Sequence, residues 1–362
     1  MTAAWIDQSA RMPVPGDNGA IGLDTEFMRR DTYYPKLALV QAAHENERWL
    51  VDPTAYDAGA DVRALVARRC CVMHSAGEDL QALAPLLGDM PLQLFDTQIA
   101  AALCGMGPGL SYQKLVAALL GIDIPKDETR SDWLRRPLTP SQLEYAELDV
   151  AYLVELQGVL AARLDRLGRR EWHAEDCARL LHQADRQRQG ADLQPQRDFR
   201  AAADWPPEAQ ARLRRVLLWR DEAARALDKP KPWLLDDAHA LSLSLQPPAD
   251  PQALFERVKG LRALRGPQRS ELLPLLHAEA TPGELDALEP IVAAPRGQYK
   301  RSADAMREKV HAIAAKLDLP AGLLCPRRLI EELAVARTWP AGLEGWRRGL
   351  LEAELTPLLP GW

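Results

Sequence analysis

The sequence predicts an α/β protein in which a mixed sheet flanked by helices is followed by two small all-helical domains. Three observations carry that expectation. From Ile21 to about Leu103, short apolar runs alternate with segments of helical period, the pattern of strands interleaved with helices. After Gly109 the strand signals stop, and the later apolar positions recur at helical spacing. At 362 residues the chain exceeds one compact domain of usual size, and a polar stretch from Gln183 to Asp204, rich in Gln, Arg, Asp and Pro, marks a linker or domain edge. The expected units are residues 1–200, 205–285 and 295–362.

Ile21–Phe27, Leu37–Ala42, Arg48–Val51, Cys70–His74 and Leu92–Phe95 read as strands. Asp61–Ala67, Glu78–Leu87 and Thr97–Leu103 read as helices. The first three strands lack intervening helices, which predicts an antiparallel meander; the later ones alternate with helices, which predicts parallel pairing. Helices over Ser111–Leu119 and Ser141–Leu164 flank a loop, Gly121 to Pro140, rich in charge and proline. Leu213, Val216 and Leu217 set a helical stripe in the first appended module, and Met306, Val310 and Ile313 set one in the second. Between the two modules lie the turn-rich stretches Thr281-Pro-Gly and Ala294-Pro-Arg-Gly297.

Hydrophobic residues at 47% and charged residues at 27% describe a folded chain and exclude a disordered one. The N-terminus lacks a basic start and apolar run, and no later apolar stretch reaches membrane-spanning length without a charge, so a cytoplasmic protein without a membrane partner is expected. The five cysteines lack C-x-x-C spacing and read as reduced thiols, not as a zinc site. The net charge of -6 neither supports nor excludes a nucleic-acid substrate, because a carboxylate-lined metal site would itself add acid.

Three acidic features carry chemistry. Asp24 and Glu26 lie two apart on a strand and share a face, where like charges raise each other's pKa unless a cation sits between them. Asp79 falls in the first turn of a helix after an apolar strand, a position also common for purely electrostatic reasons. Tyr145 and Asp149, four apart on a helix, can face one cleft or simply hydrogen-bond to each other, while Glu147 points elsewhere. Other polar residues read as structural: Asp52 before a proline as turn chemistry, Asp96 before Thr97 as a helix cap, and His74 as a bonded ring near a glycine-containing turn.

In this order, D-x-E on the first long strand, Asp at a strand-to-helix junction and Y-x-x-x-D on a later helix resemble the tyrosine subclass of the DEDD superfamily of exonucleases. Lys126-Asp-Glu-Thr-Arg-Ser-Asp-Trp-Leu-Arg-Arg-Pro-Leu138 and Gln142-Leu-Glu-Tyr-Ala-Glu-Leu-Asp-Val150 are similar to the corresponding segment of the ribonuclease D family. Trp219-Arg-Asp-Glu-Ala-Ala-Arg225 with Pro232-Trp-Leu-Leu-Asp236 resembles the helicase-and-RNase-D C-terminal (HRDC) domain. The resemblance implies a ribonuclease H-like sheet, two HRDC-like domains, and 3′–5′ removal of nucleotides from RNA with an unpaired 3′ end, such as a tRNA precursor. It also implies two Mg²⁺ or Mn²⁺ ions held by Asp24, Glu26, Asp79 and Asp149, with Tyr145 orienting the attacking water.

Substrate contacts are expected from Lys126, Arg130, Trp133, Arg135 and Arg136, cations with an aromatic that suit phosphate pairing and base stacking on a single strand. The alternative for Trp133 is inward packing; Phe27 could equally wedge against a terminal base or belong to the core. A DNA 3′–5′ exonuclease and a non-catalytic nucleic-acid scaffold are the rival readings, since no residue visibly reads a 2′-hydroxyl.

Overall fold

The computed structural model describes residues 3–9, 18–89, 92–125, 128, 131–190 and 192–360. Its strands are β1 (Ala4–Ile6), β2 (Ile21–Met28), β3 (Lys36–His44), β4 (Glu47–Val51), β5 (Cys70–Met73) and β6 (Gln93–Asp96). They form one sheet in the order β1-β4-β3-β2-β5-β6. As the alternation predicted, β2, β3 and β4 are an antiparallel meander, and β5 and β6 add in parallel beside β2. The short edge strand β1, parallel to β4, was not predicted; three residues are too few to show a period.

One face of the sheet packs Ile21, Leu23, Val40 and Ala42 against α1 (Gly59–Val66) and α2 (Gly77–Leu87). Further along lie α3 (Thr97–Leu103), α4 (Tyr112–Leu120), α5 (Pro140–Ala151) and α6 (Leu153–Arg166). The opposite face meets α5 and α6, with Ala43, Val150 and Leu153 in one apolar cluster. Helix α5 starts at a capping box, where the Gln142 N–H donates to Thr139 Oγ1 at 3.1 Å and the Thr139 N–H to Gln142 Oε1 at 2.9 Å.

The single helix expected over Ser141–Leu164 is broken at Tyr152. The Tyr112 phenol bridges the break, donating to the Leu148 carbonyl and accepting from the Tyr152 N–H, both at 3.1 Å. The junction presses onto β2 at Gly22, where a β-carbon would lie 3.1 Å from the Val150 carbonyl oxygen and from Leu153 Cβ. Glycine is what permits that approach.

The polar stretch after α6 is more ordered than its composition suggested. Helix α7 (Arg170–Gln189) runs into it, and two short 3₁₀ turns follow at Pro195–Asp198 and Arg200–Ala202. Ion pairs tie these turns down: Arg197 to Glu289 at 2.5 Å, Arg328 to Asp198 at 2.7 Å, and Arg200 to Glu331. Charge substitutes there for apolar burial, which is why the segment reads as a linker.

The first helical module, beginning with α8 (Pro207–Leu227), has its own core of Leu213, Val216, Leu217, Leu243 and Leu272. The second does not: Met306, Val310, Leu333 and Leu351 join the same cluster as Val150, Leu156 and Leu160. Trp346 stacks on Trp172 of α7 at 4.7 Å, and Arg347 Nη2 meets Asp176 Oδ2 at 2.9 Å. A polar clasp joins the first module to the β2–β3 turn. The Tyr33 phenol donates to Asp221 Oδ1 at 2.8 Å, its N–H donates to Asp228 Oδ1 at 2.9 Å, and Arg225 and Lys231 lie over its ring. Among the described residues no helix is long and apolar enough to cross a membrane.

Candidate active site

Strand β2 outruns its neighbour. Its pairing with β5 covers Ile21 and Gly22 only, so its β5-side edge is unpaired from Asp24 onward. From β5 the chain turns through Ser75, at φ 61°, into α2, whose first turn carries Asp79. The Asp96 carboxylate holds that turn by accepting from the Ala76 N–H at 2.9 Å, and it caps α3 through the Gln98 and Ile99 N–H groups. Thr25 Oγ1 donates to Asp79 Oδ1 at 2.5 Å, which fixes α2 beside β2.

Asp24 and Glu26 lie opposite Gln41 and Leu39 of β3, on the face that α5 covers with Tyr145 and Asp149. A register break between Glu26 and Phe27 makes a bulge that re-aims the end of the strand. The five residues singled out by spacing thus come together from β2, α2 and α5.

Electrostatics couples the group. Burial, then the charges of Asp79, Asp149 and Glu26, push the Asp24 carboxyl well above the carboxylate range. Glu26 is pushed up to about 9 by burial and by Asp149 and Asp79. Asp149 rises to about 7 by burial and Asp79 against a Tyr145 hydrogen bond, and Asp79 to about 6 by burial against its bond from Thr25. Burial and Asp149 hold the Tyr145 phenol up as well, so it keeps its proton at neutral pH.

Among the described residues no group of three or more His, Cys, Asp or Glu side chains could, as placed, hold a metal ion. The donor set still fits a hard divalent ion, because all four acids offer carboxylate oxygens and each raises the proton affinity of another.

The acids read as structural behave so. Asp52 accepts from Thr54 N–H and Oγ1 at 3.0 and 2.6 Å and pairs with Arg136 Nε at 2.6 Å. Glu147 turns away to Arg48 at 3.3 Å. His74 has both ring nitrogens engaged, Nδ1 with Thr97 Oγ1 at 2.9 Å and Nε2 with the Leu110 carbonyl at 3.0 Å. Of the free thiols, Cys71 is pushed up to about 12 by burial.

Two expected substrate contacts are corrected. Trp133 is only 2% exposed, packed with Leu39, Leu138 and Ala146 at 5.9 Å from the Tyr145 ring, and offers no face for a base. Arg136 spends its guanidinium on Asp52 and on the carbonyls of Ala38 and Trp133, each at 2.7 Å. In both cases closing the loop under α5 outweighs solvent exposure. Arg135 is exposed, Phe27 is half-buried outside the apolar clusters, and Lys126 and Arg130 lie outside the described residues. One residue escaped the spacing argument: Gln41, a polar side chain inside the apolar run of β3, fully buried opposite Asp24.

Over residues 2–165 the chain matches a family described as 3′–5′ exonuclease. It is 43% identical over 346 residues to a ribonuclease D of Xanthomonas oryzae pv. oryzae, spanning 94% of this chain and 93% of that one. The chain belongs to the ribonuclease D family. A further ribonuclease D, from Gluconacetobacter diazotrophicus, is 33% identical over 354 residues, 94% of this chain and 84% of its own. The crystal structure of Escherichia coli RNase D, described as an exoribonuclease involved in structured RNA processing, superposes with a TM-score of 0.80 at 25% identity, over 99% of this chain and 98% of that one. Membership of the ribonuclease D family makes the protein a 3′–5′ exoribonuclease, and neither rival reading is favoured.

Proposed function

We propose that this exoribonuclease trims RNA with an unpaired 3′ end, a tRNA precursor being the expected kind, and that Asp24, Glu26, Asp79, Tyr145 and Asp149 are its catalytic residues. The observation that carries the reading is the convergence of these five on the open edge of β2, in mutual electrostatic contact. Asp24, Glu26, Asp79 and Asp149 would hold two Mg²⁺ or Mn²⁺ ions. Bound there, such ions activate water and neutralise charge on the phosphoryl and leaving oxygens.

The protein's own groups do the rest. The charged form of Asp24 is opposed by burial and by the other three acids, so it is the one that would gain most from a bound divalent ion. Tyr145 remains a phenol at neutral pH and orients the attacking water by hydrogen bonding, because a proton so tightly held makes it a poor base. Thr25 fixes the rotamer of Asp79. Exposed Arg135 is the remaining described cation of the loop proposed to meet phosphate. Residues 1–200 form the exonuclease unit, and 205–285 and 295–362 the HRDC-like modules.

The test compares Asp24→Asn, Asp149→Asn and Tyr145→Phe on a 3′-tailed RNA. The carboxylate variants should lose turnover by at least about a thousandfold while still binding RNA, and Tyr145→Phe should lose roughly a hundredfold. Full turnover in Asp24→Asn ends the assignment.

A further inference from the structure

Gln41 sits at the centre of the sheet and is 0% exposed. Among the described residues neither its amide nitrogen nor its amide oxygen has a hydrogen-bond partner. Buried polar side chains are nearly always satisfied, and one that is not calls for an explanation. Register supplies it. Gln41 is the cross-strand neighbour of Asp24 in an antiparallel pair, so the two side chains rise from the same face. On that face Leu39 packs with Tyr145 and Ala146, and Ala43 packs with Val150 and Leu153. Gln41 therefore lies beneath the one turn of α5 that brings Asp149 over Asp24, with apolar residues before and after it.

We propose that Gln41 is a positioning residue for Asp24, its Nε2–H donating to the Asp24 carboxylate when that carboxylate is engaged with a divalent ion. A carboxylate that binds a metal ion accepts bonds only, and the groups that hydrogen-bond to it fix the directions of its lone pairs. The amide is the one uncharged donor the register sets directly across from Asp24. It is also isolated from solvent, so water does not compete for it.

This inference rests on the proposed metal-binding role of Asp24, and the experiment separates the two. Mn²⁺ is titrated calorimetrically into the metal-free full chain, as wild type, Gln41→Met, Gln41→Leu and Asp24→Asn, and each is melted in chelator. Met keeps the length of Gln without its donors. Both Gln41 variants should bind Mn²⁺ about tenfold more weakly yet melt in chelator at or above the wild-type temperature, because an unpartnered amide has been removed. On RNA they should lose kcat with KM little changed.

Mn²⁺ affinity within about twofold of wild type in both variants, with Asp24→Asn abolishing binding, overturns the role of Gln41 alone. Wild-type affinity in Asp24→Asn overturns the site and this inference with it. Loss of cooperative melting in both Gln41 variants shows the amide to be a structural requirement of the metal-free fold and also refutes the proposal.

Discussion

Replacing Gly22 with alanine probes how the fold sets the distance between β2 and α5. Gly22 has no left-handed backbone, so alanine fits its strand geometry and only space is at issue. The added carbon would meet the Val150 carbonyl oxygen and Leu153 Cβ at 3.1 Å, with Leu153 Cδ1 at 3.4 Å. The carbon contact is about 0.4 Å inside ordinary packing distance, and two of the three atoms sit close to backbone and cannot swing away. Overpacking of this kind costs about 1–3 kcal/mol, against about 0.4–1 kcal/mol gained from a less flexible unfolded chain, so a net loss of roughly 1–2 kcal/mol is expected.

The larger effect falls on the site. The strain moves the end of α5 by a few tenths of an ångström, and Asp149 precedes the displaced Val150. Since a misplacement of about 1 Å costs on the order of a hundredfold, kcat should fall roughly tenfold, further for Gly22→Val. Single-turnover cleavage of 3′-tailed RNA, read beside a thermal melt, measures both. A lowered melting temperature with kcat within about twofold of wild type would refute the claim that this contact positions Asp149, and no change in either would refute the close approach itself.

Trp133→Ala should lower stability by about 3–5 kcal/mol, seen in denaturant melts, while RNA affinity of the folded variant stays near wild type; Arg135→Ala should do the reverse, leaving the melt alone and reducing the salt dependence of RNA binding by about one charge. The Tyr33 clasp has a pH window. Burial works against the Asp221 charge, but hydrogen bonds from Lys231 and Tyr33 prevail and hold its carboxyl below the usual range, while burial and Asp221 push the Tyr33 phenol up to about 12. A depressed acid stabilises above its unfolded pKa near 4 and loses that contribution as pH falls; a raised phenol stabilises below its unfolded pKa near 10 and loses it as pH rises toward 12. Tyr33→Phe should therefore cost about 1 kcal/mol, constant between roughly pH 5 and 9 and shrinking on either side. A difference that grows below pH 4 would contradict the clasp.

The site was legible where its geometry is local. Two carboxylates two apart on a strand share a face whatever the fold, and Tyr145 and Asp149 share a helix face for the same reason. The directions of the five expected strands also followed from whether helices intervene between them. What escaped depended on contacts between distant segments. The break at Tyr152 depends on the Tyr112 phenol, 40 positions away in sequence. Trp133 could have faced solvent or the core, and only the position of α5 over β3 and β4 turns it inward. The polar segment after α6 gave no apolar period because ion pairs hold it, and the second helical module gave no sign that its apolar face would close on the exonuclease core. Gln41 left a trace, one amide in an apolar strand, but its meaning needed the register with Asp24.

The central claim is that the acidic site around Asp24 removes nucleotides from RNA 3′ ends with divalent ions. The most direct measurement is a time course on a 5′-labelled RNA with a single-stranded 3′ tail, in Mn²⁺, in Mg²⁺ and in excess chelator, with Asp24→Asn alongside. A ladder that shortens one nucleotide at a time from the 3′ end with wild type and metal, absent in chelator and in Asp24→Asn, is the result expected. The same ladder in chelator, or undiminished in Asp24→Asn, would contradict it.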